Sequence, residues 1–240
     1  MPEKNPELSV VILCYGAGES VCEFVSRIIQ VLESSGIFDY ELVLVGNYHE
    51  NSNDRTPEVV RDLASKNPKI RFVARAKEGM MGWDMKSGLE IAQGEYMAVI
   101  DGDGQFPVED VVKVYKKIKS EHLDLVKTYR IHRGDSLWRK CISMIYNVFF
   151  HILFPGLNSK DINAKPKICT REAYGKLKLS SDDWFIDAEI MIQARRLSLK
   201  IGEVPTVFLG LTGRRSFVRV KTVFEFMKNL IHYRIKEFFK

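Results

Sequence analysis

Cysteine is scarce. The 240 residues hold only Cys14, Cys22, Cys141 and Cys169, and no two stand in CxxC spacing. That argues against a zinc ribbon and a disulfide framework and leaves reduced thiols as the expectation. No apolar run reaches the roughly 18 residues of a membrane span. The first residues, MPEKNPELSVV, have no secretory pattern, so a cytoplasmic chain is expected. No internal repeat and no low-complexity linker is present, which argues against solenoids and tethered arrays. His122, His132, His151 and His232 show no ligand spacing and read as structural.

Acidic residues are also thin at the end of the chain. From Gly213 onward eight Lys/Arg face only Glu225 and Glu237, a surplus of six where the whole chain carries +5. A second basic segment runs from Lys127 to Lys140. So uneven a charge implies an anionic partner on one face, either phosphates or a lipid surface, and not nucleic acid.

What is present is globular: 45% apolar and 28% charged residues supply a core for a large domain. LSVVILCY (8–15) and YELVLVGN (40–47) are continuous apolar runs of strand length, as in strands buried on both faces. IRFVARA (70–76) and YMAVID (96–101) are further strands. Helical periodicity separates them, and Thr56 is expected to cap the helix that contains Pro57. This alternation predicts an α/β fold with a mostly parallel sheet flanked by helices. Past Pro107 come a helix, the strand DLVKTYR, the long apolar helix SLWRKCISMIYNVFFHILFPG, a short strand and helix, the helix WFIDAEIMIQARRLSLK and the strand IGEVPTVFL. A basic amphipathic helix closes the chain. The expected division is a catalytic domain over 1–218 and that helix over 219–240.

The stretch YMAVIDGDGQFPVEDV (96–111) carries the chemistry. A buried strand ends in Asp101, Asp103 and Gln105, separated by Gly102 and Gly104. Glycine leaves such a loop free to turn several hard oxygens toward one point. Hard oxygens suit magnesium or manganese, which need few protein carboxylates when substrate phosphates complete the shell. A plain turn uses the same residues.

Residues 77–111, KEGMMGWDMKSGLEIAQGEYMAVIDGDGQFPVEDV, resemble family-2 glycosyltransferases, nearest to the dolichyl/polyprenyl-phosphate hexose synthases. Lys77, Gly79, Gly88, Leu89, Ala92, Gly94, Glu95, Tyr96, Asp101, Asp103 and Gln105 carry the resemblance. GEVPTVFL and GRRSF continue it more loosely. The resemblance implies a glycosyltransferase A fold, Rossmann-like, and inverting transfer of a hexose from a UDP- or GDP-linked donor. It places Mg or Mn on Asp101, Asp103 and Gln105, with Asp101 and Asp103 catalytic. It implies donor contacts from Tyr15, Glu19, Asn47 and Lys77.

The family pattern breaks at two strand ends. In ILCYGAGE Tyr15 is kept, but Leu13 stands in place of proline, Gly16 in place of asparagine, and Glu19 as a displaced acid. In LVLVGNYHENSND Gly46 and Asn47 replace the two aspartates that read the base, and Asp54 matches a later one. Asn47 can still hydrogen-bond a base, and Tyr48 or His49 can stack on it.

Arg130, Arg139 and Ser143 are expected at an acceptor phosphate, as in the lipid-phosphate subgroup, because a guanidinium suits phosphate. Asp182 and Asp183 either supply a general base for a sugar-hydroxyl acceptor or cap the following helix. Asp187 and Glu189 can anchor Arg214 or Arg215, which with Ser216 form a basic loop able to close over the diphosphate. Two activities compete: transfer to a polyprenyl phosphate at the inner face of the cytoplasmic membrane, with peripheral membrane contact, and transfer to a glycan hydroxyl. A third reading, a nucleotide-sugar-binding protein without catalysis, rests on the two altered motifs.

Overall fold

The computed structural model describes residues 5–134, 137–209 and 220–238. The elements run β1 (Leu8–Leu13), α1 (Ser20–Ser34), β2 (Tyr40–Val45), α2 (Thr56–Lys66), β3 (Ile70–Val73), α3 (Met81–Ile91), β4 (Tyr96–Asp101), α4 (Glu109–Ser120), β5 (Leu125–Arg133), α5 (Leu137–Leu153), β6 (Lys167–Thr170), α6 (Arg171–Lys176), α7 (Ile186–Arg196), β7 (Ile201–Phe208) and α8 (Val220–Phe238). The strands form one sheet in the order β3-β2-β1-β4-β6-β5-β7. β1 pairs in parallel with β2 and β4, β2 with β3, and β5 with β7. Only β6 runs antiparallel, between β4 and β5. The mostly parallel α/β sheet expected from the strand–helix alternation is therefore what forms.

The apolar run of β1 follows from its central place. Val10 and Ile12 face one layer with Phe24 and Ile28 of α1 and Val111 of α4. Val11 and Leu13 face the other, with Met85 and Leu89 of α3, Phe150 of α5 and Met191 of α7. Each such side chain contributes about 1.5–3 kcal/mol by burial. Gly88 lets α3 lie directly on the sheet, because a Cβ there would stand 2.6 Å from Val45 Cγ2 and closer still to Val11. Thr56 is the first residue of α2, with Arg55 at the cap, so the capping expected of Thr56 does not occur. Pro57 sits in the first turn as expected.

The single antiparallel strand has a consequence for charge. Its register sets Val99 opposite Lys167 and Ala98 opposite Ile168. Continued two residues further, the register brings Lys165 beside Asp101, the last residue of β4.

Helix α8 packs inward on one side. Leu230 is buried, and Phe226, Met227 and Tyr233 lie against the core layer shared with α5 and α7. The Tyr233 ring stands 4.8 Å from that of Phe185, and Arg195 reaches both Glu237 oxygens at 2.8 and 2.9 Å. Its other side leaves Ile231 and Ile235 exposed. Helix α5 behaves alike: Tyr146, Phe150 and Phe154 are buried, while Met144, Ile145, Val148 and Ile152 are 55–69% exposed. Among the described residues no helix is long and apolar enough to cross a membrane.

Candidate active site

The carboxyl ends of β1, β2, β3 and β4 converge on one edge, where open α/β sheets bind ligands. The loops there are tied to each other. Asp54 accepts from the Gly16 N–H at 3.2 Å and from the Thr56 N–H at 2.9 Å, and Thr56 Oγ1 accepts from the Gly18 N–H at 2.8 Å. Asp54 thus joins the loop after β1 to the start of α2. Tyr15 stacks edge-on to His49 at 5.7 Å and lies under the Lys77 ammonium, 4.1 Å from the ring centre. Glu19 stands outside this group, exposed and 3.3 Å from Arg55.

Asn47 is fully buried. Its amide nitrogen donates to Asp84 and Ser87, each at 3.0 Å, and its oxygen accepts from the Arg75 N–H at 2.9 Å. Its carboxamide is a bracket between β2 and α3. Lys77 pairs with the same Asp84 in a contact almost shut off from solvent. Burial pushes the Asp84 carboxyl up, against the pull of Lys77 and Asn47. Sequence reasoning singled out Lys77 and Asn47 but missed Asp84, the acid that binds them together.

At the end of β4 the Asp103 carboxylate accepts from the Gln105 N–H at 3.0 Å, and Gly104 takes a φ of +71° that favours glycine. Asp101 meets the Lys165 ammonium through both oxygens, at 3.1 and 3.2 Å. Lys165 is buried and also stands 3.4 Å from Asp187. Asp187 in turn accepts from Lys167 at 2.6 Å. Burial alone would discharge Lys165, but Asp101 and Asp187 outweigh it and hold the ammonium above its usual range. Burial lowers Lys167 to about 8, against the pull of Asp187. Among the described residues no three His, Cys, Asp or Glu side chains gather as a metal cage. The oxygens of Asp101, Asp103 and Gln105 at the end of one strand nonetheless fit the chemistry of an ion that takes few protein oxygens and completes its shell from diphosphate and water.

Asp187 and Glu189, expected to anchor Arg214 or Arg215, have other partners among the described residues. Asp187 is spent on Lys165 and Lys167. Glu189 accepts from the backbone N–H groups of Ser180 and Ser181 and from Tyr233. Arg214, Arg215 and Ser216 lie outside the described residues.

The loop carrying Asp182 and Asp183 meets the starts of two helices, α3 and α7. The carbonyls of Asp182 and Asp183 accept from Met80, Gly82 and Trp83 at the start of α3. A Cβ on Gly82 would collide with the Ser181 and Asp183 carbonyls. Asp182 pairs with Lys86 at 2.7 Å. Asp183 accepts from the Phe185 N–H and from Asn229 of α8, both at 2.8 Å.

Beyond this edge, β5 and α5 enclose a groove of about 770 Å³. Arg130, Lys140, Ser143, Lys160 and Asp161 line it together with Ile131, Met144, Val148 and Ile152. Arg130 forks onto Asp161 at 2.6 and 2.8 Å. Burial opposes the Asp161 charge, but Arg130 and then Lys127 outweigh it and hold the carboxyl below the usual range. The side chain of Arg139 lies outside the described set. Asn147 fixes the groove floor by accepting from the Ile162 N–H at 3.0 Å.

Such a sheet, with carboxylates at the end of β4, is that of the glycosyltransferase A class. Glucosyl-3-phosphoglycerate synthase from Mycobacterium tuberculosis, solved with UDP, shares this fold at a TM-score of 0.71 and 19% identity, over 96% of this chain and 79% of that one. The same enzyme with Mn2+, UDP and phosphoglyceric acid gives 0.67 and 18%, over 94% and 76%. The chain belongs to glycosyl transferase family 2, whose model matches residues 9–177. It is 29% identical to dolichol-phosphate mannosyltransferase of Pyrococcus furiosus over 93% of this chain, and it spans 62% of that relative's length. It is 26% identical to dolichyl-phosphate beta-glucosyltransferase of Dictyostelium discoideum, over 89% of this chain and 70% of that one.

Proposed function

We propose that this chain transfers a hexose from a nucleotide-diphospho sugar, UDP- or GDP-linked, to a polyprenyl phosphate at a membrane surface, with inversion. The observation that carries this reading is the groove between β5 and α5. It joins a basic end (Lys140 and Lys160, beside Arg130 in its pair with Asp161) to an apolar wall (Met144, Val148, Ile152) that runs on into the exposed stripe of α5. A lipid phosphate has the same two-part chemistry. The names of the relatives support the same acceptor.

An acceptor phosphate oxygen attacks C1 of the hexose while the bond from C1 to the diphosphate oxygen breaks, and that electron pair leaves with the nucleotide. A phosphate is already ionised, so no general base is needed. Asp183, with both oxygens engaged by Phe185 and Asn229, is suited to hold the loop. Asp103 and Gln105, backed by Asp101, would hold a Mg or Mn ion. Such an ion supplies electrostatic stabilisation of charge developing on the leaving diphosphate. Tyr15 and the loops tied by Asp54 form the floor for the nucleotide, with Tyr48 and His49 at its rim. The exposed faces of α5 and α8, together with the basic surplus at the chain's end, give reversible docking on an anionic surface, consistent with the inner face of the cytoplasmic membrane.

A transfer assay with labelled UDP- and GDP-hexoses, manganese and polyprenyl phosphate in vesicles tests the reading. Label is expected in an organic-phase product that needs the lipid phosphate. Label transferred only to a water-soluble glycan would support the sugar-hydroxyl reading instead.

A further inference from the structure

The antiparallel return of β6 places a buried ammonium on the first carboxylate of the proposed metal loop. Lys165 touches both Asp101 oxygens, at 3.1 and 3.2 Å, and is 3% exposed. Its side chain is buried, and the ammonium is also held by Asp187 at 3.4 Å and by Met81 Sδ at 2.9 Å. Asp187 is itself fixed by Lys167 at 2.6 Å. Asp101 therefore meets any arriving cation with its charge already balanced by a fixed cation. A divalent ion at this loop would also feel the repulsion of that ammonium at short range.

We propose that Lys165 is a positioning residue that acts through Asp101: an internal counter-ion that keeps the resting affinity of the loop for divalent cations low. The ion is then held firmly only when a nucleotide diphosphate adds its own negative charge. The loop releases the ion with the nucleotide product instead of retaining it. This inference rests on the proposed metal site at Asp103 and Gln105 and adds to it an order of binding.

The test is titration of the protein with Mn2+ alone, free ion being read by electron paramagnetic resonance. Lys165→Met is expected to bind Mn2+ at least about tenfold more tightly than wild type, or about 1.4 kcal/mol. A purely structural role would weaken binding or leave it unchanged. Lys165→Gln keeps a hydrogen bond to Asp101 without the charge and is expected to shift the same way, should the methionine variant fold poorly. The gain should shrink to less than about threefold on an Asp101→Asn background, since the two side chains act as a coupled pair. Equal or weaker binding by both Lys165 variants overturns the inference. The metal site is read separately, from Asp103→Asn with Mn2+ and UDP or GDP. Lost affinity there keeps the metal reading whatever Lys165 does, and wild-type affinity there removes it together with the inference.

Discussion

Asp84 and Asp187 are both buried carboxylates that face lysine, yet they are driven in opposite directions. Burial pushes Asp84 up, because one ammonium (Lys77) and one neutral amide (Asn47) do not offset the loss of water. Burial opposes Asp187 as well, but two ammoniums, Lys165 and Lys167, outweigh it and hold the carboxyl below its usual range. The difference marks two regions. Under the ends of β1 to β3, Asp84 has a single ammonium, Lys77, and the neutral amide of Asn47. Where β4, β6 and β5 meet, Lys127, Arg130, Lys165 and Lys167 face Asp101, Asp161, Asp187 and Glu203 in pairs. The number of cations around a buried acid, and not burial alone, decides which way its pKa moves.

The largest expected effect lies at the edge of the second region. Asp103→Asn should lower transfer by at least about a hundredfold, by removing charge at the diphosphate, while the urea midpoint stays at the wild-type value. Next come the two buried acids themselves. Asp187→Asn leaves two ammoniums short of a partner and should cost about 3–5 kcal/mol in urea unfolding, as for a broken buried pair. Asp84→Asn can keep the Asn47 bond through its amide oxygen but takes the charged partner from one buried ammonium, Lys77, and should cost less, about 1.5–3 kcal/mol. Equal losses would erase the distinction between the regions.

Acid titration of stability sharpens the same contrast. The folded pKa of Asp187 lies below the ordinary 3.8, so its contribution is complete above that value and is lost as pH falls through the folded one. Asp84 has the opposite sign: its folded pKa lies above 3.8, and its contribution falls as pH rises through that raised value. Urea midpoints across the acid range should therefore show a shallower low-pH loss in Asp187→Asn. Asp84→Asn should instead change the slope above pH 3.8. Smaller still, Ile152→Glu on the exposed face of α5 should weaken co-sedimentation with anionic vesicles about tenfold, with melting temperature unchanged. Undiminished vesicle binding would remove α5 from the docking surface.

Much of the fold was legible because buried parallel strands announce themselves as unbroken apolar runs, as in β1 and β2. The stretch from Lys77 to Gln105 was legible as a site because glycine and oxygen ligands alternate at a strand end. Gly88 has its packing reason in Val11 and Val45. What escaped was the pairing of charges distant in sequence. Nothing local joins Asp101 to Lys165, 64 positions away; the antiparallel register of β6 does so, and register is a tertiary property. The described partners of Asp187 and Glu189 are just as distant in sequence: Lys165 and Lys167 come from the approach to β6 and its first residue, and Tyr233 from α8.

In the proposed function, the loop after β4 and the ends of β1 to β3 together bind a nucleotide diphosphate with a divalent ion. Isothermal titration of UDP and of GDP, each with manganese and with chelator, tests it most directly. One of the two nucleotides should bind with manganese and lose at least about tenfold in affinity, or about 1.4 kcal/mol, when the metal is removed. Equal affinity with and without metal for both nucleotides would contradict the account.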